Sequence, residues 1–257
     1  MFDGQDPFPL PPSPFPPASQ GLYDATREHD ACGVGFVVHI KGQRSHAIVR
    51  KALQVLINLE HRGACGCEAN TGDGAGILMQ TPDAFFRKVL PFTLPADGSY
   101  GAGLVFLPRD ERDRDAIRDV IGRIIVEEGA SLLGWRDVPT DNSLVGDSAR
   151  ATQPIFQQVF IGAPQGVSGL RLERKLYVIR KRAEHAVDAL EINPLSRRFF
   201  YIVGLSAKTL IYKGMLTAQQ LGPMFPDLAD ESLVSSLALV HQRFSTNTFP
   251  SLPLAHP

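Results

Sequence analysis

With 257 residues, 44% of them hydrophobic, the chain can bury a substantial core, organised as one large domain or two small ones. Lys+Arg of 26 against Asp+Glu of 27 leaves a net charge of -1, which excludes the global basic field that recruits nucleic acid or anionic lipid. No apolar stretch approaches the ~20 residues of a membrane helix, residues 1–20 lack the pattern of a secretory signal, and three cysteines are too few for a disulfide-built fold. A small-molecule substrate in the cytosol follows as the default, with a plastid left open.

Residues 1–20, MFDGQDPFPLPPSPFPPASQ, hold so much proline that helix and central strand are closed to them, and an extended leader is expected. From Leu22 to Ala31 the chain turns polar, and Asp24, Arg27, Glu28, His29 and Asp30 make an accessible cleavage junction ahead of Cys32. The division is therefore a leader over 1–31 and a domain over 32–257. After Cys32, residues Val34, Phe36, Val37, Val38 and Ile40 predict a buried strand. HAIVRKALQVLINLEHRG follows as a helix stopped by Gly63, then GAGILMQTP as a buried strand, PDAFFRKVL as a short helix and GAGLVFLP as a strand.

In DERDRDAIRDVIGRIIVEEGA, residues Ile117, Val120, Ile121, Ile124 and Ile125 share one side and predict a surface helix. LLGWRDVPT and PIFQQVFIGAP predict strands, LERKLYVIRKRAEHAVDAL a long amphipathic helix, and FFYIVGLSAKTLIYKGML a hairpin turning at Ser206 to Lys208. The segment from Pro226 onward predicts a helix, a strand and a proline-punctuated loop. Strands and helices mix without strict βαβ alternation, so a layered α+β sandwich is favoured over a doubly wound sheet.

Cys32 carries the sharpest chemical signal. Cleavage after Ala31 would give it both a thiol, titrating near ~8.5, and an α-amine near ~7.7–8.0, so nucleophile and base would reside on one residue. A buried structural cysteine is the alternative. Arg243, followed by Ser245, Thr246, Asn247 and Thr248, offers a guanidinium fork suited to an α-carboxylate, against the alternative of a surface arginine capped by a polar loop. The glycine-rich HRGACGCEANTGDGAGI has no phosphate-cradle order and reads as a tight loop packing close to a substrate. His61, Cys65, Cys67 and Glu68 could ligate a metal, but no second cysteine pair follows and no metal site is assigned.

Together, ACGVGF at 31–36, LEHRGACGCEANTGDGAGIL at 59–78 and LVHQRFSTNTFPSLPLAHP at 239–257 resemble the class II glutamine amidotransferase domain that opens the large subunit of glutamate synthases. The resemblance implies a four-layer αββα sandwich of the amino-terminal-nucleophile hydrolase type, incomplete at its C-terminus, with a propeptide removed before Cys32. It implies that Cys32 attacks the side-chain amide of L-glutamine and forms a γ-glutamyl thioester. Arg62 would lie near the cysteine, Arg243 would clamp the glutamine α-carboxylate with Thr246 assisting, and Asp73 would shape its loop.

In whole members of the family the ammonia meets 2-oxoglutarate at an FMN site, with electrons arriving through an iron–sulfur cluster from a donor subunit or ferredoxin. Neither cofactor is expected on these residues. The family continues past Pro257 into an Asn-Gly-Glu segment that forms the oxyanion hole, so these residues alone are expected to show negligible glutaminase activity. The rivals are another amidotransferase or amide hydrolase with the same nucleophile, and a metal-binding or structural module at His61, Cys65 and Cys67.

Overall fold

The computed structural model describes residues 21, 32–63, 68, 70–245, 251–253 and 255. The expected leader, Gly21 apart, lies outside the described residues, as do Cys65, Cys67, Thr246 and His256.

Among the described residues, eight strands form two antiparallel four-stranded sheets. The first runs β1 (Gly33–Val38), β8 (Leu237–Gln242), β2 (Ala75–Gln80), β7 (Thr209–Gly214). The second runs β4 (Ser131–Asp137), β5 (Ile155–Gly162), β3 (Tyr100–Leu107), β6 (Tyr201–Ile202). Helices α1 (His46–Asn58) and α7 (Ala218–Met224) pack on the first sheet, α3 (Glu111–Glu127) and α5 (Gly169–Asp188) on the second, and β7 lies against β3. Three shorter helices, α2 (Asp83–Val89), α4 (Asp147–Ala151) and α6 (Pro194–Arg197), complete the set. The order helices, sheet, sheet, helices is the expected α+β sandwich.

Apolar periodicity decides which face each long helix buries. In α3 the buried residues are Ile117, Val120, Ile121, Ile124 and Ile125; Asp110 caps its start by accepting from the Asp113 N–H at 3.0 Å. Gly129, at φ 73°, ends it where most side chains would be strained. In α5 the buried row is Leu172, Leu176, Ile179, Ala183 and Val187, and these two rows meet Val105, Leu107, Val159 and Ile161 of the second sheet. On the other side one continuous core runs from Val49 and Leu56 of α1, through Ile77 and Val240, to Phe86, Phe106 and Phe160.

Three expectations need correction. Val34, Phe36, Val38 and Ile40 are exposed, Phe36 at 71% and Ile40 at 97%, because β1 is an edge strand. Side chains alternate along it, so Gly33, Gly35 and Val37 face α1 while no described residue covers the other side. Next, β6 and β7 are not a hairpin: β6 pairs with β3 and β7 with β2, in different sheets. The intervening residues are already engaged, since Ser206 bridges Ala102 and Glu173 accepts from the Ser206 hydroxyl at 2.9 Å and the Ala207 N–H at 2.7 Å. Finally, the helix expected after Pro226 is a single 3-10 turn, Pro226–Ala229, and the true helix is α7 just before it, with Pro223 in its last turn.

That turn carries Asp227 into the space between the sheets. Arg136 donates to both Asp227 oxygens at 2.7 Å and to Gln158 Oε1 at 2.9 Å; Tyr212 donates to Asp227 Oδ2 at 2.7 Å and accepts from Gln158 Nε2 at 3.0 Å. The network joins β4 and β5 to β7. Burial drives the Tyr212 hydroxyl well above its ordinary range, and the Asp227 charge adds to that. Burial pulls the Arg136 guanidinium down, but Asp227 more than offsets it and leaves it raised. Asp227→Asn strands Arg136 without its carboxylate and is expected to cost about 3–5 kcal/mol in urea unfolding. The double variant Arg136→Met/Asp227→Leu removes both charges and is expected to lose much less.

Candidate active site

The pairing of β8 between β1 and β2 brings three separated segments to one end of the first sheet. Gly33 faces Gln242, and Gln242 also faces Ala75. The ladder runs one residue past β8, where the Arg243 N–H donates to the Gly74 carbonyl at 2.8 Å. Cys32, one residue before β1, is exposed, with its sulfur 3.4 Å from the Phe244 nitrogen and 3.9 Å from the Phe244 oxygen. The thiol thus lies against backbone between Arg243 and Ser245.

Arg62 reaches the same place because two contacts leave no room for a Cβ. A Cβ on Gly33 would stand 2.9 Å from the Arg62 Cβ, and one on Gly63 would collide with the Gln242 side chain. The 3-10 turn Glu60–Arg62 that follows α1 is therefore seated directly over the start of β1. Gly74, at φ 146°, is held in a conformation other residues rarely adopt, and a Cβ there would collide with the Ala255 methyl at 2.5 Å.

Asp73 is buried, and its Oδ2 accepts from the Ser245 N–H at 2.6 Å. The loop that carries it is tethered on its other side. Glu68 accepts from the hydroxyls of Thr71 at 2.8 Å and Ser148 at 2.9 Å; the Asn70 carbonyl accepts from the Gly146 N–H at 2.9 Å and Gln220 Nε2 at 2.8 Å. Those hydroxyl bonds hold the Glu68 carboxyl below its ordinary value. The residues named from sequence that come together are thus Cys32, Arg62, Asp73 and Arg243. Arg243 is 6% exposed, which removes the reading of a surface arginine. Thr246 lies outside the described residues. Of the metal candidates, Cys65 and Cys67 are also outside them, and the His61 ring nitrogen is bonded to the Asn58 carbonyl at 3.1 Å.

Two further groups stand on this sheet, Lys213 without any signal in the sequence and His241 with none beyond that of a structural histidine. Lys213 of β7 is 0% exposed, with its Nζ donating to the Pro253 carbonyl at 3.1 Å and lying 4.6 Å from the Tyr201 ring centre. Burial, then the charges of Arg180 and Arg243, push its ammonium down to about 7. His241 pairs with Val34 and Gly76, and Gly76 with Lys213, so the two side chains share a face of the sheet. His241 is also lowered, by burial and then by Arg243 and Lys213, and its Nδ1 is buried with no hydrogen-bond partner among the described residues.

The family model for glutamine amidotransferases class-II matches residues 32–257. The chain is 46% identical over 245 residues to the glutamate synthase [NADPH] large chain of Bacillus subtilis (strain 168), covering 94% of this chain and 16% of that protein. It is 44% identical over 239 residues to the glutamate synthase [NADPH] large chain of Azospirillum brasilense, covering 91% and 15%. To the ferredoxin-dependent glutamate synthase 1, chloroplastic/mitochondrial, of Arabidopsis thaliana it is 39% identical over 252 residues, covering 96% and 15%. The chain spans no more than 16% of the length of these three relatives.

Asp73→Ala removes a charged acceptor from the Ser245 N–H and is expected to cost about 1.5–3 kcal/mol by chemical denaturation, with Asp73→Asn recovering part of it. Lys213 sets a pH dependence. Between pH 7 and the unfolded value of 10.5 the unfolded chain holds a proton that the folded one has released, so stability rises with pH through that window. Lys213→Met is expected to remove that slope, roughly 1.4 kcal/mol per pH unit, from unfolding free energies measured at pH 7, 8 and 9.

Proposed function

The chain belongs to the class II glutamine amidotransferases, and from that premise we propose that it supplies the nucleophile, Cys32, of a glutaminase domain that hydrolyses L-glutamine to glutamate and ammonia in the full-length protein, these residues alone having negligible activity. The observation that carries this reading is the thiol of Cys32 standing against the Phe244 backbone, flanked by Arg243 and by the Asp73-bound Ser245. The family match begins at Cys32, which supports a leader over 1–31 that is removed and a domain over 32–257.

Once residues 1–31 are released, the Cys32 α-amine takes the thiol proton. The thiolate attacks the amide carbon of the substrate, the carbon–nitrogen bond breaks, and the amine returns the proton to the leaving nitrogen. Ammonia departs and a γ-glutamyl thioester remains. Water, deprotonated by the same amine, attacks the thioester; glutamate leaves and the thiol is restored.

Arg243 is assigned to the substrate α-carboxylate, with Thr246 assisting, because a guanidinium fork matches two carboxylate oxygens. Arg62 is assigned to the wall of the site beside Cys32, and Asp73 to holding the strand that bears Arg243. The ammonia is proposed to pass to the other domains of a glutamate synthase for transfer to 2-oxoglutarate, with electrons from a donor subunit or ferredoxin. The FMN and iron–sulfur centre of such an enzyme are assigned to those other domains, and no step is drawn through either group.

The test labels the processed full-length protein with 6-diazo-5-oxo-L-norleucine, a glutamine-shaped electrophile, and reads the adduct by mass spectrometry. Labelling is expected on Cys32 alone, blocked by L-glutamine and absent in Cys32→Ala. Arg243→Lys is expected to slow labelling by about tenfold or more while iodoacetamide alkylation stays unchanged. An active form that retains residues 1–31 would overturn the amine-base mechanism.

A further inference from the structure

A buried lysine is an expensive residue: its ammonium is taken out of water, and an apolar chain of similar length would fill the same space at lower cost. Lys213 is wholly buried, in the second half of β7. It donates to the Pro253 carbonyl at 3.1 Å, beneath the faces of Tyr201 at 4.6 Å and Phe106 at 6.0 Å from the ring centres. The position therefore needs an account beyond packing.

What Lys213 holds leads directly to the site. The Ala255 N–H folds back onto the Ser251 carbonyl at 3.1 Å and the Leu252 carbonyl at 3.3 Å, so the residue that Lys213 grips belongs to a turn ending at Ala255. Ala255 is wholly buried and its methyl packs so close to Gly74 that a Cβ there would stand 2.5 Å from it. The Gly74 carbonyl in turn receives the Arg243 N–H, and its neighbour Asp73 receives that of Ser245. These contacts link the lysine to the backbone on both sides of Phe244, against which the Cys32 sulfur rests.

We propose that Lys213 is a positioning residue for the amino-acid site, fixing the Pro253–Ala255 turn and, through Gly74, the register of Arg243. The inference rests on the glutaminase reading for its kinetic consequence, but its structural content is independent of it. A displaced Arg243 weakens the grip on the substrate carboxylate in ground state and transition state alike, so the loss falls on KM and spares kcat.

The test compares wild type, Lys213→Met, Lys213→Arg and Ala255→Gly in the processed full-length protein. Amide hydrogen exchange is read at Ala255 and Arg243, and glutamine kinetics in parallel. Lys213→Met and Ala255→Gly are expected to speed exchange at Arg243 by about tenfold or more and to raise KM for L-glutamine by a similar factor, with kcat within about threefold. Lys213→Arg, which keeps a cationic donor, is expected to restore part of both. Wild-type exchange at Arg243 in Lys213→Met and in Ala255→Gly overturns the proposal, as does a loss confined to kcat. If Lys213→Met does not fold, Ala255→Gly, which leaves the lysine in place, decides it by the same two readings. A wild-type protein that does not turn over glutamine refutes the glutaminase reading instead, and the exchange data still decide whether Lys213 sets the register of Arg243.

Discussion

The ladder that seats β8 between β1 and β2 is the constraint on which the site depends. Cys32 precedes β1, Asp73 and Gly74 precede β2, and Arg243 follows β8, so no two of these segments are neighbours in sequence. They meet because Gly33 and Ala75 face the same residue, Gln242. A one-residue slip of β8 would turn His241 toward α1 and carry Arg243 away from Gly74. Such slippage is resisted by what each face contacts. Ala238 and Val240 are wholly buried in the core that includes α1, and Gln242 fills the space that Gly63 leaves.

The two sheets are joined by polar as well as apolar contacts, and the polar ones have opposite character. The Arg136–Asp227 pair is charge-balanced and its hydrogen bonds are shared with Gln158 and Tyr212, so it orients β4, β5 and β7 without leaving a buried charge alone. Lys213, one residue along β7 from Tyr212 and so on the opposite face of the strand, has carbonyl and aromatic partners instead. The first network stabilises as an ion pair. The second spends stability below the window in which the lysine discharges, and what it gains is a fixed backbone beside Gly74.

Much of the fold could be read from the sequence because local pattern and tertiary role agree. The apolar rows of α3 and α5 bury the faces their spacing predicts. Reading failed where long-range geometry decides. Nothing within GVGFVV reveals that the strand lies at a sheet edge, and its apolar run alone predicts burial on both faces. The apparent hairpin at Ser206 was undone by Glu173, a residue 33 positions away. At the site, Cys32 and Arg243 stood out by chemical type in unusual local contexts. Lys213 did not, since IYKG is an ordinary strand end until the turn at Pro253 covers it, and the tight seating of Arg62 is set by Gly33 and Gly63, whose purpose only the packing reveals.

Electrostatics join these parts. Lys213 and His241 share a face of the sheet, and both are pushed toward their neutral forms by burial and by the charge of Arg243. That common cause means that positive potential accumulates where the three side chains converge. Asp73, buried beside Gly74, is engaged by the Ser245 N–H. An anionic group seated against Arg243 would supply the counter-charge and favour the protonated forms of Lys213 and His241. Carboxylate binding and the grip of Lys213 on Pro253 therefore reinforce one another, because a charged donor makes the stronger hydrogen bond.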